Sequence, residues 1–197
     1  MNVPLSQSFY NQPTLELAIA LLGKKLIHDT DDGICEGYIV ETEAYMGPHD
    51  RAAHSYNNRR TARTEVMFGE AGTIYTYTMH THVLLNIVCA QKNIPHAILI
   101  RAIEPLEHCI PLLKERRKAA KNNAQLTNGP GKLCQAFNIN MSYNGKSIFL
   151  PPLYIAEGKD IKQIVESKRV GIENSGEAKD FLWRFYEQDN VYVSKRD

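Results

Sequence analysis

The order of apolar and polar positions predicts an early helix followed by a β-hairpin. Between residues 14 and 22 the apolar side chains recur at helical spacing, and Gly23 stands where a left-handed cap would end such a helix. Residues 25–28 and 34–45 have the composition of strands and are separated by a short polar turn. The pattern therefore predicts an amphipathic helix and, after it, a pair of strands.

A second hairpin is predicted in the middle of the chain. Residues 72–79 alternate in polarity and place three side chains on one face, those of Tyr75, Tyr77 and Met79. Residues 80–82 form the turn, and residues 83–88 form the return strand. Residues 97–103 are predicted to form a further strand.

Two more helices and some short strands complete the expected elements. Residues 105–121 have a helical pattern that Pro111 should kink. Residues 128–137 have the composition of a backbone-rich turn that opens a short helix. Residues 170–172 and 184–186 favour short strands. No internal repeat or linker interrupts the pattern, so we expect residues 1–197 to form a single domain.

Size and composition narrow the class of protein. The chain has 197 residues, of which 43% are hydrophobic, enough for a sizeable core. Its start lacks the features of an export signal and no segment is long enough to span a bilayer, so we expect a soluble cytoplasmic protein. The four cysteines are widely spaced, which favours reduced, buried thiols.

Charge is distributed unevenly along the chain. The formal net charge is only +1, but residues 51–132 hold twelve Lys and Arg against five Asp and Glu. Two basic clusters stand out in this stretch, one at residues 59–63 and one at residues 114–121. A surface gathered from these clusters would bind phosphates, while a solvated helix face explains the second cluster equally well.

The strand at residues 37–45 carries the candidate chemistry. Strand alternation places Glu41, Glu43 and Tyr45 on one face and Tyr38, Val40, Thr42 and Ala44 on the other. Carboxylates beside a phenol can provide a general base. A solvated strand face lined by two glutamates is the alternative interpretation.

Short motifs in a fixed order cover nearly the whole chain. They are Glu41–Tyr45, Gly47–Pro48, Ala52–Ser55, Met67–Phe68, Gly72–Tyr77, Arg101–Pro105, Gly129–Ala136, Arg169–Ile172 and Arg184–Tyr186. In this order they resemble the 3-methyladenine DNA glycosylase family, which includes the human alkyladenine enzyme and its bacterial relatives.

The resemblance implies both a fold and a reaction. The expected fold is α+β, a single compact domain around a curved, barrel-like antiparallel β-sheet with flanking helices. The implied activity is that of a bacterial, monofunctional DNA glycosylase of base excision repair. Such an enzyme flips a damaged purine out of double-stranded DNA and hydrolyses its N-glycosidic bond, leaving an abasic site. The implied substrates are alkylated purines such as 3-methyladenine and 7-methylguanine, with hypoxanthine and ethenoadenine as further candidates.

The resemblance also assigns roles to individual residues. Glu43 is the implied general base, and Arg101 helps to fix the attacking water or the DNA backbone. The base-binding pocket is expected to comprise Tyr45, His54, Tyr77, Asn86 and Leu99. DNA-binding positions are expected at Arg59, Thr61, Arg63, Met67, His80 and Lys132. His80 departs from the family pattern, because better-known members carry a tyrosine at this hairpin tip to fill the gap left by the flipped nucleotide.

Two other classes of function compete with this interpretation. A metal hydrolase would require ligands drawn from a scattered set comprising Glu41, Glu43, His49, His54, His80 and His82. No His-x-x-x-His pair supports such a site, so we expect neither a metal nor another cofactor. The second alternative is a non-catalytic nucleic-acid-binding module of the same fold. We expect a monomer that binds damaged double-stranded DNA and no membrane.

Overall fold

The computed structural model describes residues 2–196, and its first α-helix confirms the predicted one. This helix, α1, spans Thr14–Ala20 and buries Leu17 and Ala18. Gly23 follows with a φ of 78°, a left-handed conformation that suits glycine. The backbone N–H of Gly23 donates to Ile39 O at 2.8 Å, which ties the helix end to the sheet.

The first predicted hairpin is also present. Strands β1 (Lys25–Thr30) and β2 (Gly33–Met46) pair antiparallel across a two-residue turn. From Gly37 onward β2 also pairs with β5 (His96–Pro105). On its other edge β2 also pairs with β9 (Arg184–Glu187), which confirms the strand predicted at residues 184–186. Strand β2 is therefore the centre of the sheet.

The second hairpin consists of β3 (Ile74–Met79) and β4 (His82–Cys89). Its turn residues, His80 and Thr81, both have positive φ, at 46° and 72°. Positive φ at both central residues is the requirement of a type I′ turn, which matches the twist of the flanking strands. The turn therefore holds His80 at an exposed hairpin tip.

The remaining strands complete a curved antiparallel sheet. They are β6 (Phe149–Leu150), β7 (Leu153–Ala156) and β8 (Ile164–Ser167). Within residues 2–196 the sheet has nine strands, seven of them in the order β3-β4-β5-β2-β1-β7-β6, with β8 joined through β9. The predicted α+β fold around a curved antiparallel sheet is confirmed.

A β-bulge in β2 changes one predicted side-chain direction. The register with β5 shifts between Ile39 and Glu41 and again at Thr42. Val40 was expected on the face of Thr42 and Ala44, and this prediction is wrong. Val40 instead packs in a separate small cluster that includes Ala102, Tyr186 and Val193, because the extra residue of a bulge breaks the alternation.

The helix predicted at residues 105–121 is much shorter than expected. Pro105 ends β5, and the helix α2 spans only Ile110–Arg116. Pro111 lies in the first turn of α2, where a missing backbone N–H is tolerated, so it does not kink the helix. The helix α3 (Pro130–Ala136) confirms the other prediction and packs on β4 and β5.

The strand predicted at residues 170–172 is wrong. These residues lie in the loop between β8 and β9, and Gly171 has a φ of 76°. The backbone N–H of Val170 donates to the Glu43 carboxylate rather than to a neighbouring strand. The Glu43 carboxylate therefore takes the place of the backbone carbonyl that would accept this N–H in a β-sheet.

The core lies between one face of the sheet and the helices. It gathers apolar side chains from α1, β1–β5, α2 and α3, and the four cysteines are buried and form no disulfide. Among residues 2–196, no helix combines the length and the apolar character needed to cross a membrane.

Candidate active site

Strand pairing assembles the candidate site as a row across four strands. Glu43 on β2 pairs with Leu99 on β5, Leu99 pairs with Asn86 on β4, and Asn86 pairs with Tyr75 on β3. Directly paired residues project from the same face of a sheet. Residues far apart in the chain therefore meet on one face at this end of the sheet.

A cavity of about 150 Å³ opens over this row. Seven of the predicted site residues line it: Tyr45, His54, Met67, Tyr77, Asn86, Leu99 and Arg101. The loop after β8 contributes Val170, Gly171 and Ile172 to another side of the cavity. The walls are thus mainly aromatic and aliphatic, with a few polar groups, as is usual for a site that binds a small molecule or a base.

Glu43 is fully buried beside the cavity, with donors around its carboxylate. Oε1 accepts the backbone N–H of Val170 at 2.7 Å. Oε2 accepts the hydroxyl of Tyr45 at 2.8 Å and lies 3.3 Å from Nη1 of Arg101. The predicted common face of Glu41, Glu43 and Tyr45 is confirmed by these contacts together with the Arg101–Glu41 pair.

Arg101 connects Glu43 to a second buried carboxylate. Its Nε donates to Glu41 Oε1 at 2.9 Å. Glu41 also accepts from Arg184, at 3.2 Å, and from the backbone N–H of Ser194, at 2.7 Å. Glu41 is therefore held by structural partners on several sides, while Arg101 reaches the cavity.

Tyr45 has a cation behind its ring and a carboxylate at its hydroxyl. The guanidinium carbon of Arg169 lies 4.7 Å from the ring centroid, within the range of a cation–π contact. Arg169 is itself fully buried and makes a bidentate ion pair with Asp50. Burial, and then the Glu43 charge, raise the pKa of Tyr45 well above its ordinary value. The phenol therefore stays protonated and donates a hydrogen bond to Glu43.

His54 and two tyrosines form an aromatic group on the other side of the cavity. The rings of His54 and Tyr77 meet edge to face at 4.6 Å, and those of Tyr75 and Tyr77 lie 5.6 Å apart. Burial raises the pKa of Tyr77 to about 12. Burial, followed by the charge of Arg63, lowers the pKa of His54 to about 4, so its imidazole is neutral at pH 7.

The hydrogen bonds of His54 define its tautomer. Nη2 of Arg63 lies 3.2 Å from Nε2, and because arginine can only donate, Nε2 must accept. The remaining hydrogen is then on Nδ1, which lies 2.9 Å from the hydroxyl of Tyr75. Arg63 also covers the ring of Tyr77 at 5.0 Å. His54 is thus oriented by Arg63 and Tyr75 together.

The predicted DNA-binding residues lie in different surroundings. Arg59, Thr61 and Arg63 are exposed on the loop after β2, and His80 is exposed at the hairpin tip. Lys132 is half-buried on α3 and donates to Asn128 Oδ1 at 2.8 Å. Met67 is 2% exposed and lies in the cavity wall, so it faces the pocket and not the open surface.

Several residues of the site were not predicted from the sequence. Tyr75 lines the cavity with Tyr77, and the predicted alternation of β3 already placed the two on one face. Val170 and Arg169 come from a loop whose contacts with Glu43 and Asp50 span more than a hundred residues of chain. No local sequence signal reveals such a contact.

Three of the six side chains in the metal-hydrolase hypothesis have other partners. Glu41 and Glu43 pair with arginines, and His54 contacts Tyr75 and Arg63. Among residues 2–196, no three His, Cys, Asp or Glu side chains converge as metal ligands do. The arrangement therefore supplies no ligand set for that hypothesis.

The site combines an aromatic pocket with a buried carboxylate on a curved antiparallel sheet. A protein of this class can hold a flat ring beside an acid–base group. Comparison with known proteins specifies the class further. The methylpurine-DNA glycosylase family matches residues 8–191. The chain belongs to that family.

Curated bacterial relatives agree over almost their full length. A protein of Bacillus licheniformis is 54% identical over 98% of this chain and 97% of its own length. A protein of Bacillus subtilis has the same identity and coverage, and one of Clostridium novyi is 44% identical over 98% of each chain. Each is named "Putative 3-methyladenine DNA glycosylase".

Proposed function

We propose that the protein is a monofunctional DNA glycosylase of base excision repair. It flips a damaged purine nucleotide out of double-stranded DNA, hydrolyses the N-glycosidic bond and leaves an abasic site. The observation that carries the proposal is the buried Glu43 carboxylate, oriented by Tyr45, Arg101 and the Val170 N–H beside an aromatic pocket. Family membership supports the same reaction class.

The damaged base binds between aromatic side chains. Tyr45 and Tyr77 line the cavity, and both phenols remain neutral because their pKa values are raised by burial. Flat rings of this kind stack on a purine, and their electron-rich faces attract a purine that carries a methyl group and a positive charge. Asn86 and Leu99 shape the floor of the pocket between them.

Glu43 activates the water that attacks the sugar. Within the described residues Oε1 receives one donor, the Val170 N–H, and a carboxylate oxygen can accept two. A water held at the second lone pair transfers a proton to Glu43 as its oxygen bonds to the anomeric carbon. The electron pair of the broken N-glycosidic bond leaves with the base.

Two further features of the site assist this step. The negative charge of Glu43 stabilises the oxocarbenium-like transition state, as carboxylates do in glycoside hydrolysis. Arg101 holds the Glu43 carboxylate in place from 3.3 Å while its Nε remains paired with Glu41. Arg101 therefore orients Glu43, the general base of the reaction.

The pocket favours substrates that need no protonation. His54 has its pKa lowered to about 4, and Tyr77 has its pKa raised to about 12. Neither group is a ready source of a proton at pH 7. Purines methylated at N3 or N7 already carry the positive charge of a good leaving group. We therefore place 3-methyladenine and 7-methylguanine ahead of the neutral bases hypoxanthine and ethenoadenine.

The protein binds the duplex mainly through contacts with the sugar-phosphate backbone of the DNA. Arg59 and Thr61 are exposed beside the pocket, and Arg63 is in position to exchange its contact with His54 for a phosphate. Such contacts are insensitive to base sequence, which suits a search for rare damage. His80, at the tip of the β3–β4 turn, fills the gap left by the flipped nucleotide. In this proposal residues 1–197 act as one domain and as a monomer, on DNA in the bacterial cytoplasm.

The test measures release of free bases from methylated duplex DNA, followed by alkali to reveal abasic sites. We expect methylpurines to be released and strand breaks to appear only after alkali. Strand breaks without alkali would contradict a monofunctional reaction. No release, with DNA still bound, would instead identify a non-catalytic nucleic-acid-binding module.

A further inference from the structure

The short segment 193–195, which follows β9, is fixed to the sheet at both of its ends. Its first residue, Val193, is 5% exposed and packs in the same small cluster as the bulge residue Val40. The backbone carbonyl of its last residue accepts from Nη1 of Arg184 on β9 at 2.7 Å. The middle residue, Ser194, is therefore held in a defined place.

Ser194 binds the buried Glu41 carboxylate with both of its polar groups. Its backbone N–H donates to Oε2 at 2.7 Å, and its hydroxyl donates to Oε1 at 2.9 Å. The same hydroxyl oxygen lies 3.0 Å from Nη2 of Arg101, and because arginine can only donate, the oxygen accepts. The hydroxyl of Ser194 thus bridges Arg101 and Glu41.

The contacts of Ser194, Glu41 and Arg101 close a ring. The Nε of Arg101 donates to Oε1 of Glu41 at 2.9 Å, the same oxygen that accepts the Ser194 hydroxyl. The guanidinium group is planar, so bonds at Nε and Nη2 also fix the direction of its third nitrogen. This nitrogen, Nη1, lies 3.3 Å from Oε2 of Glu43. The Ser194 hydroxyl is therefore connected to Glu43 through Arg101.

The strand around Arg101 is irregular. Residues 100 and 102 each pair with β2, but Arg101 between them has no paired residue in this register. Irregularities of this kind change the direction of a side chain and are common beside active sites. Arg101 is also 7% exposed, so solvent does little to hold its charge. The position of its guanidinium group therefore depends on its own hydrogen bonds.

We propose that Ser194 is a positioning residue of the glycosylase reaction, whose hydroxyl orients Arg101 and, through it, the Glu43 carboxylate. The inference rests on the proposed function, because it takes Glu43 as the general base. The described residues that line the cavity do not include Ser194. Loss of its hydroxyl should therefore slow base release and leave DNA binding unchanged.

The test begins with Ser194→Ala, which removes the hydroxyl and keeps the backbone N–H. The single-turnover rate of 7-methylguanine release, with enzyme in excess, should fall about tenfold, as expected for one lost hydrogen bond to a charged group. The Kd for the same DNA should stay within about twofold of wild type. Ser194→Thr keeps the hydroxyl and should recover most of the rate. If Ser194→Ala unfolds, Ser194→Cys takes its place, because a thiol has a similar shape but is a weak hydrogen-bonding group.

Ser147→Ala is the matched control. Ser147 is a half-buried serine in the segment before β6, so the same atom is lost at a similar depth in another part of the fold. Its rate of base release should differ from wild type by less than about twofold.

An Arg101→Lys background separates positioning from a general loosening of the fold. Lysine keeps the positive charge but has a single nitrogen, so it lacks the fork that Ser194 orients. In this background Ser194→Ala should cost less than about twofold, because residues that act as a unit have non-additive effects. A further loss of about tenfold would mean that Ser194 does not act through Arg101, and the proposal would be wrong.

The wild type distinguishes failure of this inference from failure of the proposed function. If wild type releases methylpurines and Ser194→Ala releases them equally fast, the positioning role is wrong and the glycosylase proposal stands. If wild type binds the DNA but releases no base, the glycosylase proposal is wrong and the role of Ser194 falls with it.

Discussion

The buried ion pair behind Tyr45 provides a sharp test of how the fold supports the site. Asp50 and Arg169 are both fully buried, with N–O contacts of 2.5 and 2.8 Å. In Arg169→Met the carboxylate of Asp50 would remain buried without its cation. Removing one partner of a buried ion pair typically costs about 3–5 kcal/mol of stability.

The contacts that remain place the effect at the lower end of that range. Asp50 also accepts the backbone N–H groups of Met46, at 3.1 Å, and Ala52, at 2.9 Å. These bonds survive the substitution and partly stabilise the charge. We therefore expect Arg169→Met to lose about 3 kcal/mol, a large share of the roughly 5–15 kcal/mol by which domains of this kind are stable.

Urea unfolding measures this loss through the shift of the midpoint at constant slope. The neighbouring Lys168 is a matched control, because its pair with Asp180 is exposed on both sides. Lys168→Met should leave the midpoint almost unchanged. Adding Asp50→Asn to Arg169→Met removes the unpaired charge and should restore part of the stability. A loss below about 1 kcal/mol in Arg169→Met would refute the reasoning, because it would mean that the buried carboxylate needs no cation.

Three further predictions concern the pocket. Tyr45→Phe keeps the ring but removes the 2.8 Å bond to Glu43, so the single-turnover rate of base release should fall about tenfold; a rate equal to wild type would contradict a role for the hydroxyl. His54 titrates near pH 6.5 when unfolded but near 4 when folded, so the unfolded state takes up protons first and the free energy of unfolding should fall as the pH drops from 6.5 to 4. Urea unfolding of His54→Gln across this range should show a shallower fall, and equal slopes would be the contrary result. His80→Gly keeps the positive φ of the turn and should slow base release from duplex DNA more than from single-stranded DNA; equal slowing of both would mean that His80 is not a wedge.

The strands around the pocket were predictable because their side chains alternate. The alternation of β3 placed Tyr75 and Tyr77 on one face, and both line the cavity. The alternation of β2 placed Glu41, Glu43 and Tyr45 together; Tyr45 donates to Glu43, and Arg101 contacts both glutamates. Where a bulge interrupts the pattern the prediction is wrong at Val40, because an inserted residue leaves no mark in the composition.

The loops and buried charges were less predictable. Residues 170–172 have the composition of a strand, but the backbone N–H of Val170 donates to the carboxylate of Glu43 on β2. Arg116 belongs to the basic cluster at residues 114–121, but its guanidinium is half-buried and donates to Cys35 and to the carbonyl of Ala136. Long-range partners such as these depend on the completed fold, and local spacing contains no information about them.

The central claim is that Glu43 is the base of the reaction, and the most direct measurement compares Glu43→Gln with wild type. The variant keeps the shape of the side chain but removes the charge and the proton acceptor. Single-turnover release of 7-methylguanine is measured with enzyme in excess, and binding of the same DNA is measured separately. We expect the rate to fall at least about a hundredfold while the DNA remains bound. A rate within a few-fold of wild type would contradict the assignment of Glu43 and, with it, the mechanism proposed for this pocket.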